Sequence, residues 1–160
     1  MDQFLIWIEQ TRFSLWVRED PSLWAFPAIL IYHAVGMGML VGPNIMINLR
    51  LLGFAPGVPL APMEKFYRVM WIGLVVNILS GLALFWAYPT KAVTKPLFYV
   101  KLLLIALAVS LLPRIRSALL SGVVGADIRR WAMVSLGLWI SAITAGRLLA
   151  YTYKKLMTGD

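Results

Sequence analysis

Four long apolar runs, at about 23–49, 70–88, 96–112 and 131–151, constrain this chain of 160 residues more than any other feature. Each approaches or exceeds the ~20 residues that cross ~30 Å of hydrocarbon at ~1.5 Å per residue. Hydrophobic residues make up 61% of the chain and charged ones 14%, and the charges gather between the runs. The expected fold is therefore all-α: a four-helix transmembrane bundle forming one integral membrane domain over 1–160. Four crossings place both ends on the same side.

The segment before the first run behaves differently. Across 4–17, Phe4, Ile8 and Leu15 recur at helical spacing beside Trp7 and Trp16, while Glu9, Arg12 and Arg18 interrupt. It is too short and too polar to span. An amphipathic helix within 1–20, lying in the membrane interface, is expected. A basic n-region and a small-residue cleavage site are both missing from these residues, so they do not read as a signal peptide.

The connections fit this division. "GFAPGVPLAPMEK" is dense in Pro and Gly, and "YPTKAVTKP" reads as a tight basic turn. "PRIRSALLSGVVGADIRR" is basic at both ends, with a mildly apolar middle expected on the membrane surface. The net charge of +8 comes from Lys and Arg at the ends of apolar blocks, where they meet lipid headgroups, so nucleic acid is not an expected partner. Arg12, Arg18, Lys91, Lys95, Lys154 and Lys155 fall on the terminal side, and Arg50, Lys65, Arg68, Arg114, Arg116, Arg129 and Arg130 on the other. The second set crowds two loops close to the helices, which points to a cytoplasmic face there. With no cysteine, disulfides, thiolate metal sites and covalent c-type haem are excluded.

Inside the runs, three nitrogenous side chains stand out: His33, the only histidine, Lys101 in "KPLFYVKLLLIAL" and Arg147 in "AITAGRLLAY". The four-crossing topology puts His33 ~15 Å below the terminal surface and Lys101 ~8 Å below it, with Arg147 a few residues from the end of its helix. Three helices thus send such groups into one membrane half, which isolated snorkelling side chains would not require. Neutral imidazole is an iron ligand, and two cations nearer the surface can pair with carboxylates at the edge of a cofactor. Haem b has that polarity. Gly36, one turn from His33, would let a flat macrocycle approach the backbone; equally, Gly38 and Gly42, like Ala142, Gly146 and Ala150, have the small-xxx-small spacing of close helix packing.

Plainer readings exist for each residue. His33 could simply bond a serine or carbonyl on a neighbouring helix, and Lys101 and Arg147 could each snorkel to headgroups. Met37, Met39 and Met46 share a helix with His33 and read as packing residues, and Asn77 as an interhelical hydrogen-bonding group. Ser80, Ser110, Ser135 and Ser141 lie in spans with no second His or paired carboxylate, so hydrolase chemistry has no support.

The stretches "SLWVREDPSLWAFPAIL", "HAVGMGMLVG", "NLRLLG", "KPLFYVKLLLIALA" and "AGRLLAY" resemble an uncharacterised family of small four-helix bacterial inner-membrane proteins, over nearly the whole chain. A His on the first span followed by a glycine, with a Lys early in a later span, is also similar to haem-binding membrane protoporphyrinogen oxidases and to copper-resistance membrane proteins. The former resemblance implies haem b liganded by His33, with Lys101 also required; for the latter, the further His and Met ligands of a copper path are missing.

Two functions are thus expected of the sequence. In the first the chain is a small b-type haem membrane protein with His33 as metal ligand, Lys101 and Arg147 near the propionates, and the porphyrin between spans one, three and four. It would move electrons between a quinone or flavin-like donor and a partner, alone or in a larger complex. A single His leaves the iron five-coordinate, recruits Lys101 or another weak ligand, or shares the iron with a second copy in a homo-oligomer. In the second the same groups form a quinone or anionic-lipid site in a non-redox structural or transport subunit.

Overall fold

A computed structural model describes the backbone of residues 2–158 and the side chains of residues 3–151. Met1, Asp160 and the side chains of Lys154 and Lys155, used above to assign sides, lie outside the described residues.

The described residues are helical, without strands. The elements are α1 (Asp2–Glu9), α2 (Arg12–Glu19), α3 (Phe26–Leu51), a 3-10 turn (Ala61–Lys65), α4 (Phe66–Ala87), α5 (Pro89–Val93), α6 (Pro96–Ser110), α7 (Leu112–Ser121) and α8 (Ala126–Thr158). Four stretches are long and apolar enough to cross a membrane: Phe26–Leu51, Ala61–Ala87, Pro96–Ser121 and Ala126–Tyr151. The chain is a multi-pass membrane protein. Large side chains such as Ile31, Leu79, Leu103 and Ile140 are exposed around the bundle, as a lipid solvent allows.

The expected boundaries move: the first span is Phe26–Leu51 and not 23–49, the second begins at Phe66 and not 70, the basic turn contains α5, and three further differences follow. The N-terminal segment is two helices, not one, because Thr11 ends α1 and caps α2: its Oγ1 donates to the Ile8 carbonyl at 2.7 Å and accepts from the Ser14 amide at 3.3 Å. Both helices bury one face, with Leu5, Ile8, Ser14 and Val17 inside and Phe4, Trp7, Phe13 and Trp16 outside. The third span does not stop at 112. Pro113, which has no N–H, interrupts it at Leu111, and α7 then continues through the segment expected on the surface until Gly122, at φ 67, terminates it. The fourth span begins five residues earlier than 131, at Ala126.

The tightest joint is between α3 and α4. A Cβ on Gly73 would lie 2.7 Å from Met39 Cβ and 2.8 Å from both the Gly36 carbonyl and the Leu40 amide nitrogen, and one on Gly36 would lie 2.8 Å from the Asn77 amide nitrogen. Two glycines let these backbones touch. The connected core, from Leu40, Ile47 and Leu51 to Met70, Leu112, Ile115, Leu119 and Trp139, occupies the end where α3 finishes and α4 and α8 begin. Polar ties finish that end. Arg50 donates to the carbonyls of Val58 (2.6 Å) and Pro56 (2.9 Å), Arg116 pairs with Glu64, and the Tyr67 hydroxyl donates to the Leu112 carbonyl at 3.1 Å.

Candidate functional site

The opposite end of the bundle is hollow. A cavity of about 510 Å³ is bounded by Phe26, Leu30 and His33 of α3, Gly81, Leu84 and Phe85 of α4, Phe98 and Lys101 of α6, and Gly146, Leu149 and Ala150 of α8. Tyr88, Lys91 and Ala92, at the α4–α5 turn, complete it. These sets follow helical spacing, as one face of each helix must. Because the start of α3, the end of α4, the start of α6 and the last turns of α8's span share one cavity, the four spans alternate in direction. The volume lies within the ~300–1,000 Å³ usual for small-molecule sites.

His33 is oriented from α4. Its Nδ1 lies 3.0 Å from Ser80 Oγ, and Ser80 Oγ lies 2.6 Å from the Val76 carbonyl and 3.2 Å from that of Asn77. A hydroxyl has one proton; directed along its shortest contact, to the Val76 carbonyl, it leaves the Ser80 oxygen to accept from His33. In that arrangement Nδ1 carries the imidazole proton and Nε2 the lone pair. No described residue hydrogen-bonds Nε2. The plain reading of His33, a bond to a serine on a neighbour, is thus present, and it leaves the other nitrogen free on a ring that lines the cavity. Asn77, as expected, bonds between helices: its Nδ2 donates to the His33 carbonyl at 2.9 Å. One face of α4, carrying Asn77, Ser80 and Gly81, holds both the backbone and the ring of His33.

Lys101 also lines the cavity, with its chain against Gly146, where a Cβ would meet Lys101 Cε at 3.5 Å. It forms no ion pair or hydrogen bond among the described residues. Lys91 reaches the same space from α5, with Nζ 5.0 Å from the centre of the Tyr88 ring. Among the described residues that line it there is no Asp or Glu. Phe85 and Phe98 stack at 5.7 Å across α4 and α6.

Two expected site residues stand elsewhere. Arg147 is exposed and does not line the cavity; Gly146, Leu149 and Ala150 present the inner face of α8, and the ~100° advance per residue turns Arg147 off it. The second cation is Lys91. Gly36 is buried against α4 backbone, so its missing side chain serves helix contact and leaves no room for a macrocycle. The glycines facing the cavity are Gly81, where a Cβ would come 3.3 Å from His33 Cε1, and Gly146. The cavity also draws on the second span, which the expected placement between spans one, three and four omitted. Sequence reading named Ser80 as a span serine and Lys91 as a surface cation without assigning either to the site, and did not single out Gly81. The small and polar series Gly73, Asn77, Ser80, Gly81, all on one face of α4, is the pattern that could have found Ser80 and Gly81.

Outside the cavity, Asp20 has a local role. Its carboxylate accepts from the Ser22 amide at 2.8 Å, and the bonds from Ser22 hold its pKa below the ordinary 3.8. Among the described residues no three His, Cys, Asp or Glu side chains gather where they could hold a metal ion, and His33 is the one imidazole that lines the cavity. Compared with family models, curated proteins and solved structures, the chain finds no match.

Proposed function

We propose that this chain is a small b-type haem-binding protein of the bacterial inner membrane. Both ends would lie on one side, and the protein would work in electron transfer or membrane redox chemistry, alone or within a larger complex. This extends the likeness to small four-helix inner-membrane proteins noted in the sequence. The observation that carries it is the His33–Ser80 bond, in which Ser80 can serve as acceptor for Nδ1 and leave Nε2 available on a cavity-lining ring. A metal-ligating histidine ordinarily donates its other nitrogen to an oxygen acceptor in this way.

The remaining walls fit the same group. Haem b presents an apolar ring and two carboxylates; the cavity offers Phe85, Phe98 and Leu84 for the first and Lys91 and Lys101 for the second. Gly81 and Gly146 keep side chains away from the space beside His33 and Lys101. The bound group would supply one-electron chemistry at iron. The chain's own residues do the rest. Ser80 orients the ligand, the lysines neutralise carboxylates, and the aromatic walls keep water from the apolar part.

A second reading keeps the cavity and drops the metal: a quinone or anionic-lipid site in a non-redox structural or transport subunit. Lys101, unpaired in a space without acidic residues, favours an anionic or carbonyl-bearing guest of either kind. The visible spectrum of protein purified from haem-supplied cells separates the two. The haem reading expects a Soret band that His33→Ala abolishes and a ~10–100-fold weaker affinity in Ser80→Ala, the usual cost of losing a ligand's supporting bond. A colourless, folded preparation, or an unchanged spectrum in His33→Ala, would overturn it in favour of the second reading.

A further inference from the structure

A second polar cluster lies between α3 and α8, away from the cavity. Asn44, Asn48 and Ser135 are all fully buried. Asn48 Nδ2 donates to Asn44 Oδ1 at 2.6 Å and lies 3.1 Å from Ser135 Oγ, which donates to Asn44 Oδ1 at 3.2 Å. Three side chains thus close a triangle across two helices. The triangle leaves atoms over: Asn44 Nδ2 and Asn48 Oδ1 are cut off from solvent and have no partner among the described residues. One turn beyond Ser135, Trp139 Nε1 is in the same condition.

Turning the amides does not remove the problem. Reversing Asn44 would set its NH2 against that of Asn48, and reversing Asn48 would set carbonyl oxygen against carbonyl oxygen. The leftover donor and acceptor follow from the network itself. Each unmade bond costs ~1–3 kcal/mol in a protein interior, and a bilayer offers no solvent relief. Pro43, immediately before Asn44, adds to the demand, because without an N–H it cannot pair with the Met39 carbonyl as a helix residue would.

We propose that this cluster binds internal water, held by the Asn44 amide N–H and the Asn48 carbonyl. The leftover groups decide the guest. One donor and one acceptor on neutral side chains match a molecule that both accepts and donates, whereas a cation would require several free oxygens. Asn44 lies seven residues from the end of α3, ~10 Å by helical rise, so the site belongs to the packed end of the bundle, opposite the cavity. The bundle then has polar, exchangeable interiors in both membrane halves. This inference is independent of what fills the cavity.

The chain's three asparagines make the test direct: Asn44, Asn48 and Asn77. Protein labelled with 15N only at asparagine and reconstituted in lipid vesicles gives three side-chain amides and three backbone amides, and magnetisation transfer from water can be timed at each. Bound water predicts severalfold faster build-up at the side-chain amide of Asn44 or Asn48 than at the same residue's helical backbone amide. If both side chains are as slow as their own backbones, the cluster is dry and the proposal fails, whatever Asn77 shows.

Discussion

The two ends of the bundle are built from the same kinds of residue and packed in opposite ways. Where α3 ends, Ile47, Leu51, Met70, Leu112 and Ile115 are almost completely buried, and Asn44, Asn48 and Ser135 beside them are fully enclosed. Where α3 begins, Phe26 and Leu30 stay partly open, and His33 and Lys101 border a cavity. One end carries the packing that holds the helices together; the other gives up packing to keep a space for a guest. In a lipid solvent association depends on close contact more than on escape from water, so a bundle can keep a hollow end only if another end is tightly joined.

The sharpest way to break that comparison is at the glycine joint. Gly73→Leu must push α3 and α4 apart, because the contacts its Cβ would meet are largely backbone, whereas Gly42→Leu enters open space. The first should lose the folded, monodisperse particle in detergent, and the second should stay within ~0.5 kcal/mol of the parent by thermal denaturation. Equal tolerance of both would mean that the joint does not hold the bundle.

Side-chain deletions in the two ends should differ by less, though still measurably. Ile47→Ala opens a void at the packed end and should cost ~2–5 kcal/mol. Leu30→Ala widens a space that already exists and should cost under ~1 kcal/mol. Comparable losses in denaturant titrations would show that the cavity wall is as structural as the core.

The smallest effect belongs to the turn that leads into α3. The pKa of Asp20 is lowered on folding, so its contribution is present above the ordinary value of 3.8 and is lost as pH falls through the folded value. The Ser22 amide resonance should shift with a midpoint below 3.8, and Asp20→Asn should abolish the titration. A midpoint at or above 3.8 would show that the Ser22 bonds do not hold the carboxylate.

Much of the fold was legible in the sequence because length and hydropathy are local properties. The four spans lie where the apolar runs lie, and the amphipathic N-terminal segment is helical. Its division at Thr11 escaped because one capping side chain does not disturb a periodic pattern. The third span ran past Pro113 because a proline that ends a helix in water can be carried in a bundle whose neighbours hold the half beyond it, here Tyr67 at the Leu112 carbonyl and Glu64 at Arg116. Depth along the chain set His33 and Lys101 at similar levels, since each residue adds a fixed rise, and the two border one cavity. It could not say which way each side chain turned.

The sequence by itself thus determined that four apolar helices are long enough to span and roughly where each lies, and it set an imidazole and an ammonium at one end of the bundle. Tertiary structure decided the azimuth of every face. It turned Arg147 outward and brought in Lys91, gave Gly36 to a helix contact and Gly81 to the cavity, and set Ser80 beside His33. Hydropathy could not supply those choices, because in an almost uniformly apolar helix no hydrophobic stripe marks the inner face; contacts between particular small and polar residues do.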